Sequence, residues 1–159
     1  MKTIIVYYSL EGSTKKIAER IANEIGADLL ELKPVRDVKN NGMKFLDGGR
    51  QAVFGSKPKL EEYSFSVSDY DRVIIGTPIW AGKHAPAINT FLHENELNYK
   101  VSAVFTLSGS GNNEKCLKGL KKICPSILND ANLFDTNDEK NAETNEKRIS
   151  NFISRIRYN

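Results

Sequence analysis

The sequence predicts an α/β fold, a parallel sheet with helices packed on both faces. Three observations carry this. Short apolar runs such as Thr3-Ile4-Ile5-Val6-Tyr7-Tyr8 and Val73-Ile74-Ile75 lack polar alternation, so both faces of these strands are expected to be buried. Between such runs lie segments with apolar residues at helical spacing. Clusters of glycine, proline and hydroxyl residues separate the two kinds. Strands alternating with amphipathic helices give a parallel sheet covered on both sides.

The first strand is read as Lys2–Tyr8. The first helix runs over about Ser13–Ile25, with Ile17, Ala18, Ile21, Ala22 and Ile25 on one face, and Gly26 stops it. Asp28–Leu32 is the second strand and Val73–Ile75 the third. A helix begins near Pro86, a favoured early helical position, and carries Ile88, Phe91 and Leu92. Val101–Leu107 is the fourth strand, followed by a helix over about Asn113–Cys124 that Pro125 closes. The fifth strand falls within Ser126–Phe134, where Asn129-Asp130 interrupts the apolar pattern. Ile149, Phe152, Ile153 and Ile156 mark a final helix. The long connection Pro34–Asp69 holds the second crossover: Phe45, Leu46, Ala52, Val53 and Phe54 suggest one helix, weakened by Gly48-Gly49, and Ser56–Ser68 reads as loop.

At 159 residues the chain suits a single domain over residues 1–159 with a sizeable core. A mean hydropathy of -0.44 and the lack of a long apolar run argue against a membrane span. The N-terminal run reads as a strand rather than a signal peptide. Cys116 and Cys124 make no disulfide framework, which suits a reducing cytoplasm. They share a helical stripe with Leu117, Leu120 and Ile123 and are expected to be buried thiols. An intact helix would hold them about 12 Å apart, too far to bond. A net charge of +3 is too small to argue for nucleic acid. From Lys33 to Lys59, seven bases stand against Asp37 and Asp47, a local +5 that reads as a solvated surface loop in preference to a docking patch for an acidic partner.

Ligands in such folds sit beyond the carboxyl ends of the strands. Three loops leave that edge. Ser9-Leu10-Glu11-Gly12-Ser13-Thr14 lies between a buried strand and a helix N-terminus. First-turn amides there have no helical partner, and the helix dipole adds positive potential, so the loop can cradle a phosphate. The plainer alternative is Ser13 or Thr14 acting only as a helix cap. The second loop, Gly76-Thr77-Pro78-Ile79-Trp80-Ala81-Gly82, carries the only Trp, whose flat ring suits stacking on a heterocycle unless it folds down onto the next helix. The third, Leu107-Ser108-Gly109-Ser110-Gly111-Asn112, is small enough for amides to approach a ligand edge, or is simply a turn.

Other motifs fail on spacing. Gly109 to Glu114 begins like a dinucleotide fingerprint but ends in Glu, and Gly76 to Gly82-Lys83 has one spacer too many for a P-loop. His84 and His93 have no Cys partners, so no zinc site is expected. Gly76-Thr77 stands where a phospho-accepting receiver domain needs Asp.

Together these features resemble the short-chain flavodoxins. The likeness covers essentially the whole chain and is most specific at Tyr8–Thr14, Phe45–Gly55 and Gly76–Leu92. It implies a flavodoxin-like five-stranded sheet in the order 2-1-3-4-5 with FMN at the switch point. Carried over by motif, Ser9, Glu11, Gly12, Ser13 and Thr14 would surround the FMN phosphate, with hydroxyls from Ser9 and Thr14 and mainly amides from the rest. Thr77, Pro78, Ile79, Trp80, Ala81 and Gly82 would contact the isoalloxazine, Trp80 against one face. Ser108, Gly109, Ser110, Gly111 and Asn112 would line its pyrimidine edge. No side chain need be an acid, base or nucleophile, because the flavin supplies the chemistry.

Three departures from the family pattern matter. Glu11 stands where Thr or Ser is common, and should face solvent and offer only its N–H. Ala81 follows Trp80 where many flavodoxins have Gly, whose peptide can turn its carbonyl toward the N5 hydrogen of half-reduced flavin. A positive φ costs Ala roughly 1–2 kcal/mol more than Gly, so the half-reduced state is expected to be poorly stabilised unless Gly82 takes over. Simple flavodoxins are usually acidic and this chain is not, which puts docking of the usual basic partners in question. The resemblance implies an electron carrier acting with redox partner proteins. An FMN-dependent NAD(P)H oxidoreductase acting on a quinone or similar acceptor is the alternative. A monomer or weak homodimer is expected, without nucleic acid or membrane.

Overall fold

The computed structural model describes residues 1–36, 55–97, 99–135 and 139–157. Five strands lie parallel: β1 (Thr3–Tyr7), β2 (Asp28–Glu31), β3 (Arg72–Trp80), β5 (Val101–Ser108) and β6 (Asn129–Phe134). They stand in the order β2-β1-β3-β5-β6, and the short β4 (Lys83–His84) pairs antiparallel with the end of β3. Counted without β4, this is the 2-1-3-4-5 order. The helices are α1 (Ser13–Ile25), α2 (Pro86–Glu94), α3 (Glu114–Ile123) and α4 (Ala142–Arg157).

Side-chain alternation along each strand feeds two cores. On one face Ile4, Val6, Tyr8, Val73, Ile75, Val101 and Val104 meet Ile88 and Phe91 of α2 and Cys116 and Leu120 of α3. On the other, Ile5, Tyr7, Ile74, Ala103 and Phe105 meet Ile17 and Ile21 of α1 and Ile149, Phe152 and Ile153 of α4. Both faces of the central strands are apolar because both are covered.

Most elements fall where the spacing places them. Helix α1 occupies the expected residues, and Gly26, in the left-handed region at φ 68°, donates its N–H to the Ala22 carbonyl as the C-cap. The fifth strand includes Asn129 and Asp130 despite their polarity. It is an edge strand, and the Asp130 carboxylate accepts a bond from Asn113 Nδ2 at 3.0 Å. On α3, Cys116 and Leu120 are buried as expected, but Ile123 is about half exposed, because it lies at the end of the helix and faces away from the sheet. Both cysteines are free and buried, and burial pushes the Cys116 thiol up to about 12 and Cys124 to about 11.

The largest departure is at the third strand. The sequence predicts a strand ending at Ile75 and a loop from Gly76; the structure continues β3 through Trp80 and turns back at once into β4. Pairing with β5 carries it on: Gly76, Thr77 and Pro78 stand opposite Phe105, Thr106 and Leu107. Proline is tolerated because β1 has ended by this point, its pairing stopping at Gly76, so Pro78 has a strand neighbour in β5 alone. The expected helix around Phe45–Phe54 and the family-like stretch Phe45–Gly55, apart from Gly55, lie outside the described residues. Of the rest of that connection, a bridge joins Pro34 to Leu60 and a 3-10 turn spans Val67–Asp69.

Candidate cofactor site

The end of β1, the start of α1, the β3–β4 hairpin and the end of β5 enclose a cleft of about 380 Å³ at the carboxyl edge of the sheet. One end is built from backbone. Gly12 precedes α1 at φ 91°, a conformation that favours glycine, and a Cβ there would meet nothing within 4 Å. With no side chain to cap the helix from Gly12, Ser9 does so: its Oγ accepts the amides of Gly12 at 3.1 Å and Lys15 at 3.2 Å. The first helical bond is from Lys16 N–H to the Gly12 carbonyl, at 3.0 Å. That leaves the amides of Ser13 and Thr14 without an acceptor among the described residues, at the positive end of the helix dipole. Neither Ser13 nor Thr14 is the cap; the Ser13 hydroxyl donates instead to Asp135 Oδ1 at 3.1 Å.

The other end is built from the hairpin. Trp80 and Lys83 pair across a two-residue turn, Ala81-Gly82, with φ 49° and 75°. Positive φ at both central residues is what a type I′ hairpin turn demands, and its twist matches the strands. Ala81 is the only non-glycine at positive φ among the described residues. Trp80 is half-buried, packs its edge on buried Tyr8 with ring centres 5.6 Å apart, and also lines the cleft. One part of this Trp is thus held by the core and another lies on the cleft lining.

The first loop contributes Ser9, Glu11, Ser13 and Thr14 to the lining; the hairpin contributes Pro78, Ile79, Trp80 and Ala81; the third loop contributes Ser108 and Gly109. Glu11 is exposed. Gly82, Ser110 and Asn112 line an open extension of the cleft toward α3, together with Ile79, Ser108 and Gly109. Thr77 and Gly111 lie beneath the site rather than on it. The buried Thr77 hydroxyl accepts the Ala85 amide at 3.0 Å and donates to the Pro78 carbonyl at 2.9 Å, tying the hairpin to α2. Gly111 sits at φ 61° under the Phe134 ring, and its carbonyl accepts Asn132 Nδ2 at 2.7 Å. The third loop is therefore an anchored turn.

A family model described as Flavodoxin matches residues 2–152. The chain belongs to the flavodoxin family. Among solved structures, the flavoprotein from Lactobacillus acidophilus NCFM, in complex with FMN, superposes with a TM-score of 0.70 at 28% identity over 91% of this chain and 98% of its own. A structure from Bacteroides uniformis ATCC 8492 gives a TM-score of 0.76 at 25% identity, covering 94% of this chain and 97% of that one. A curated relative, NAD(P)H dehydrogenase (quinone) 3 of Rhizobium meliloti (strain 1021), is 31% identical over 124 residues, which is 69% of this chain. The chain spans only 54% of that relative's length.

Three lining residues of this flavodoxin cleft escape the motif reading: Leu10, Leu107 and Asp135. Leu10 lies inside the first loop, where the polar neighbours carry the motif. Leu107 and Asp135 follow from the carboxyl-edge rule, since they end β5 and follow β6. Asp135 matters most for electrostatics. With Glu11 it gives the cleft two carboxylates, and no Lys or Arg is among the lining residues described. Among the described residues, the groups the cleft offers an anion are backbone amides and the α1 dipole.

Proposed function

We propose that the protein is a redox carrier that binds FMN noncovalently in this cleft and exchanges electrons through it. One observation carries the reading: Ser13 and Thr14, whose amides have no acceptor among the described residues, and the half-buried Trp80 line a single cleft at the carboxyl edge of a flavodoxin-family sheet. The residues fit the cofactor's two chemistries. A phosphate tail accepts from the unpaired amides at the α1 N-terminus. A flat ring system packs on the indole, with Pro78 and Ile79 beside it.

When bound, FMN supplies the one- and two-electron chemistry. The chain's own residues bind, orient and exclude. Ser9 holds the first loop open by capping α1 from outside the helix, so the amides ahead of Lys15 stay available. Thr77 fixes the hairpin to α2, and Tyr8 fixes the indole edge-on. The Asp135 carboxylate, which accepts from Ser13 Oγ, opposes a dianion at the same end, so affinity rests on amides outweighing it. Among described residues no helix is long and apolar enough to cross a membrane. We place the carrier in the cytoplasm, with redox proteins as partners, as a monomer or weak homodimer.

The NAD(P)H dehydrogenase (quinone) relative favours a second reading, an FMN-dependent oxidoreductase taking hydride from NAD(P)H to a quinone or similar acceptor. One spectrophotometric experiment separates them. Purified protein given FMN is expected to bind it with saturation and to stay yellow when NADPH is added anaerobically. Bleaching by NADPH alone selects the oxidoreductase, and failure to take up FMN overturns both.

A further inference from the structure

The third loop of the cofactor cleft is gripped from behind. Gly111 donates its N–H to the Ser108 carbonyl at 3.3 Å, which closes a turn with Gly109 and Ser110 at its centre. Gly109 lines both the cleft and its extension, and Ser110 lines the extension. The amides of these two residues have no acceptor among the described residues. A Cβ on Gly109 would meet nothing within 4 Å, so this part of the turn is open. What fixes the turn is at Gly111. Its carbonyl accepts two donors, Asn132 Nδ2 at 2.7 Å and Arg148 Nη1 at 3.3 Å. The same Nη1 donates to the Asn132 carbonyl at 2.6 Å, and the guanidinium carbon lies 4.9 Å from the centre of the Phe134 ring. That ring covers Gly111, where a Cβ would meet Cε1 at 2.8 Å. Buried Asn145, about one turn earlier on α4, fixes Phe134 itself, accepting its N–H at 2.9 Å and donating to its carbonyl at 3.0 Å.

We propose that Arg148 is a positioning residue for the ring end of the cofactor cleft. It is not among the lining residues described, and acts through Gly111. One cation joins a loop carbonyl, a strand carbonyl and an aromatic face, a combination that a planar guanidinium with several donors suits. The clamp holds the Ser108–Gly111 turn against β6 and α4. The Gly109 and Ser110 amides are thereby kept at the cleft as donors for the acceptors on the edge of a flavin ring. The inference rests on the flavin reading and concerns the ring, not the phosphate.

Fluorescence titrations of the full chain with FMN and with riboflavin, its phosphate-free form, test this. Arg148→Met keeps a long apolar stem and removes the charge and the donors. It should weaken both flavins equally, by about fivefold, so that the ratio of FMN to riboflavin affinity stays at its wild-type value. Arg148→Lys keeps the charge without the planar fork and should recover most of the affinity for both. Asn132→Ala removes the other donor to the Gly111 carbonyl and should weaken both flavins equally, by about threefold. It carries the test if Arg148→Met fails to fold. In flavin-free protein, hydrogen exchange at the Gly111 amide should be about fivefold faster in Arg148→Met, which reads the turn alone. Three results would each overturn the inference: a lowered melting temperature with riboflavin affinity unchanged in both Arg148→Met and Asn132→Ala, a loss that FMN shows and riboflavin does not, or an unchanged Gly111 exchange rate. A wild-type chain that takes up neither flavin overturns the functional reading and this inference with it, and that failure is distinct because it precedes any substitution.

Discussion

The two ends of the cofactor cleft are made in opposite ways. The end proposed for the phosphate is local: a glycine at left-handed φ, a serine three residues earlier that caps the helix, and two amides left over. The hairpin end is tertiary. Trp80 is where it is because β3 outruns β1, stays paired with β5 as far as Pro78, and folds back over a two-residue turn. The lesson is that an anion site at a helix start needs little beyond its own dozen residues, whereas a ring platform needs the sheet beneath it.

Substitutions can break or sharpen that contrast. The largest expected effect is at the base of the hairpin. A Cβ on Gly76 would meet the Phe105 ring at 2.3 Å, so Gly76→Ala should destabilise the fold by about 3 kcal/mol, read by denaturant unfolding. Because the damage is to the sheet, it should weaken the ring end as well as stability. Trp80→Ala comes next. It should weaken FMN binding by about 2 kcal/mol, roughly thirtyfold in a fluorescence titration of the flavin, from lost stacking. An unchanged affinity would mean that the indole serves the core alone.

At the phosphate end the effects are smaller. Ser9→Ala removes the acceptor of the Gly12 and Lys15 amides and should cost about 1 kcal/mol of stability, the usual worth of a helix cap. Ala81→Gly runs the other way. It relieves roughly 1 kcal/mol of positive-φ strain but loosens the unfolded chain, so a net gain of about 0.5 kcal/mol is expected in thermal unfolding. A loss would show that the Ala81 methyl is held by contacts that outweigh the strain.

The same contrast explains what the sequence discloses. Helix α1 and its Gly26 stop are legible because apolar spacing and a glycine cap are local signals, whereas the strand order follows only from the family resemblance. The hairpin is not. Gly76, Pro78 and Gly82 read as loop residues, and only pairing with β5 on one side and β4 on the other makes a strand of them. The Asn129-Asp130 start of β6 is hidden for the same reason, since the Asp130 carboxylate is satisfied by Asn113, a residue distant in sequence, on an edge strand. Within the site, Ser9, Trp80 and Gly109 are placed on the cleft, whereas Thr77 and Gly111 hold up the elements that form it. Motif spacing cannot tell a residue that touches a ligand from one that buttresses the residue that does.

The division of labour in the cleft can be read directly by comparing FMN with riboflavin, which has the ring and lacks the phosphate, in amide and indole NMR spectra. The account predicts that the Trp80 indole signal moves with both, while the Ser13 and Thr14 amides move strongly downfield with FMN alone. Equal shifts of those amides with both ligands, or an indole signal indifferent to either, would contradict it.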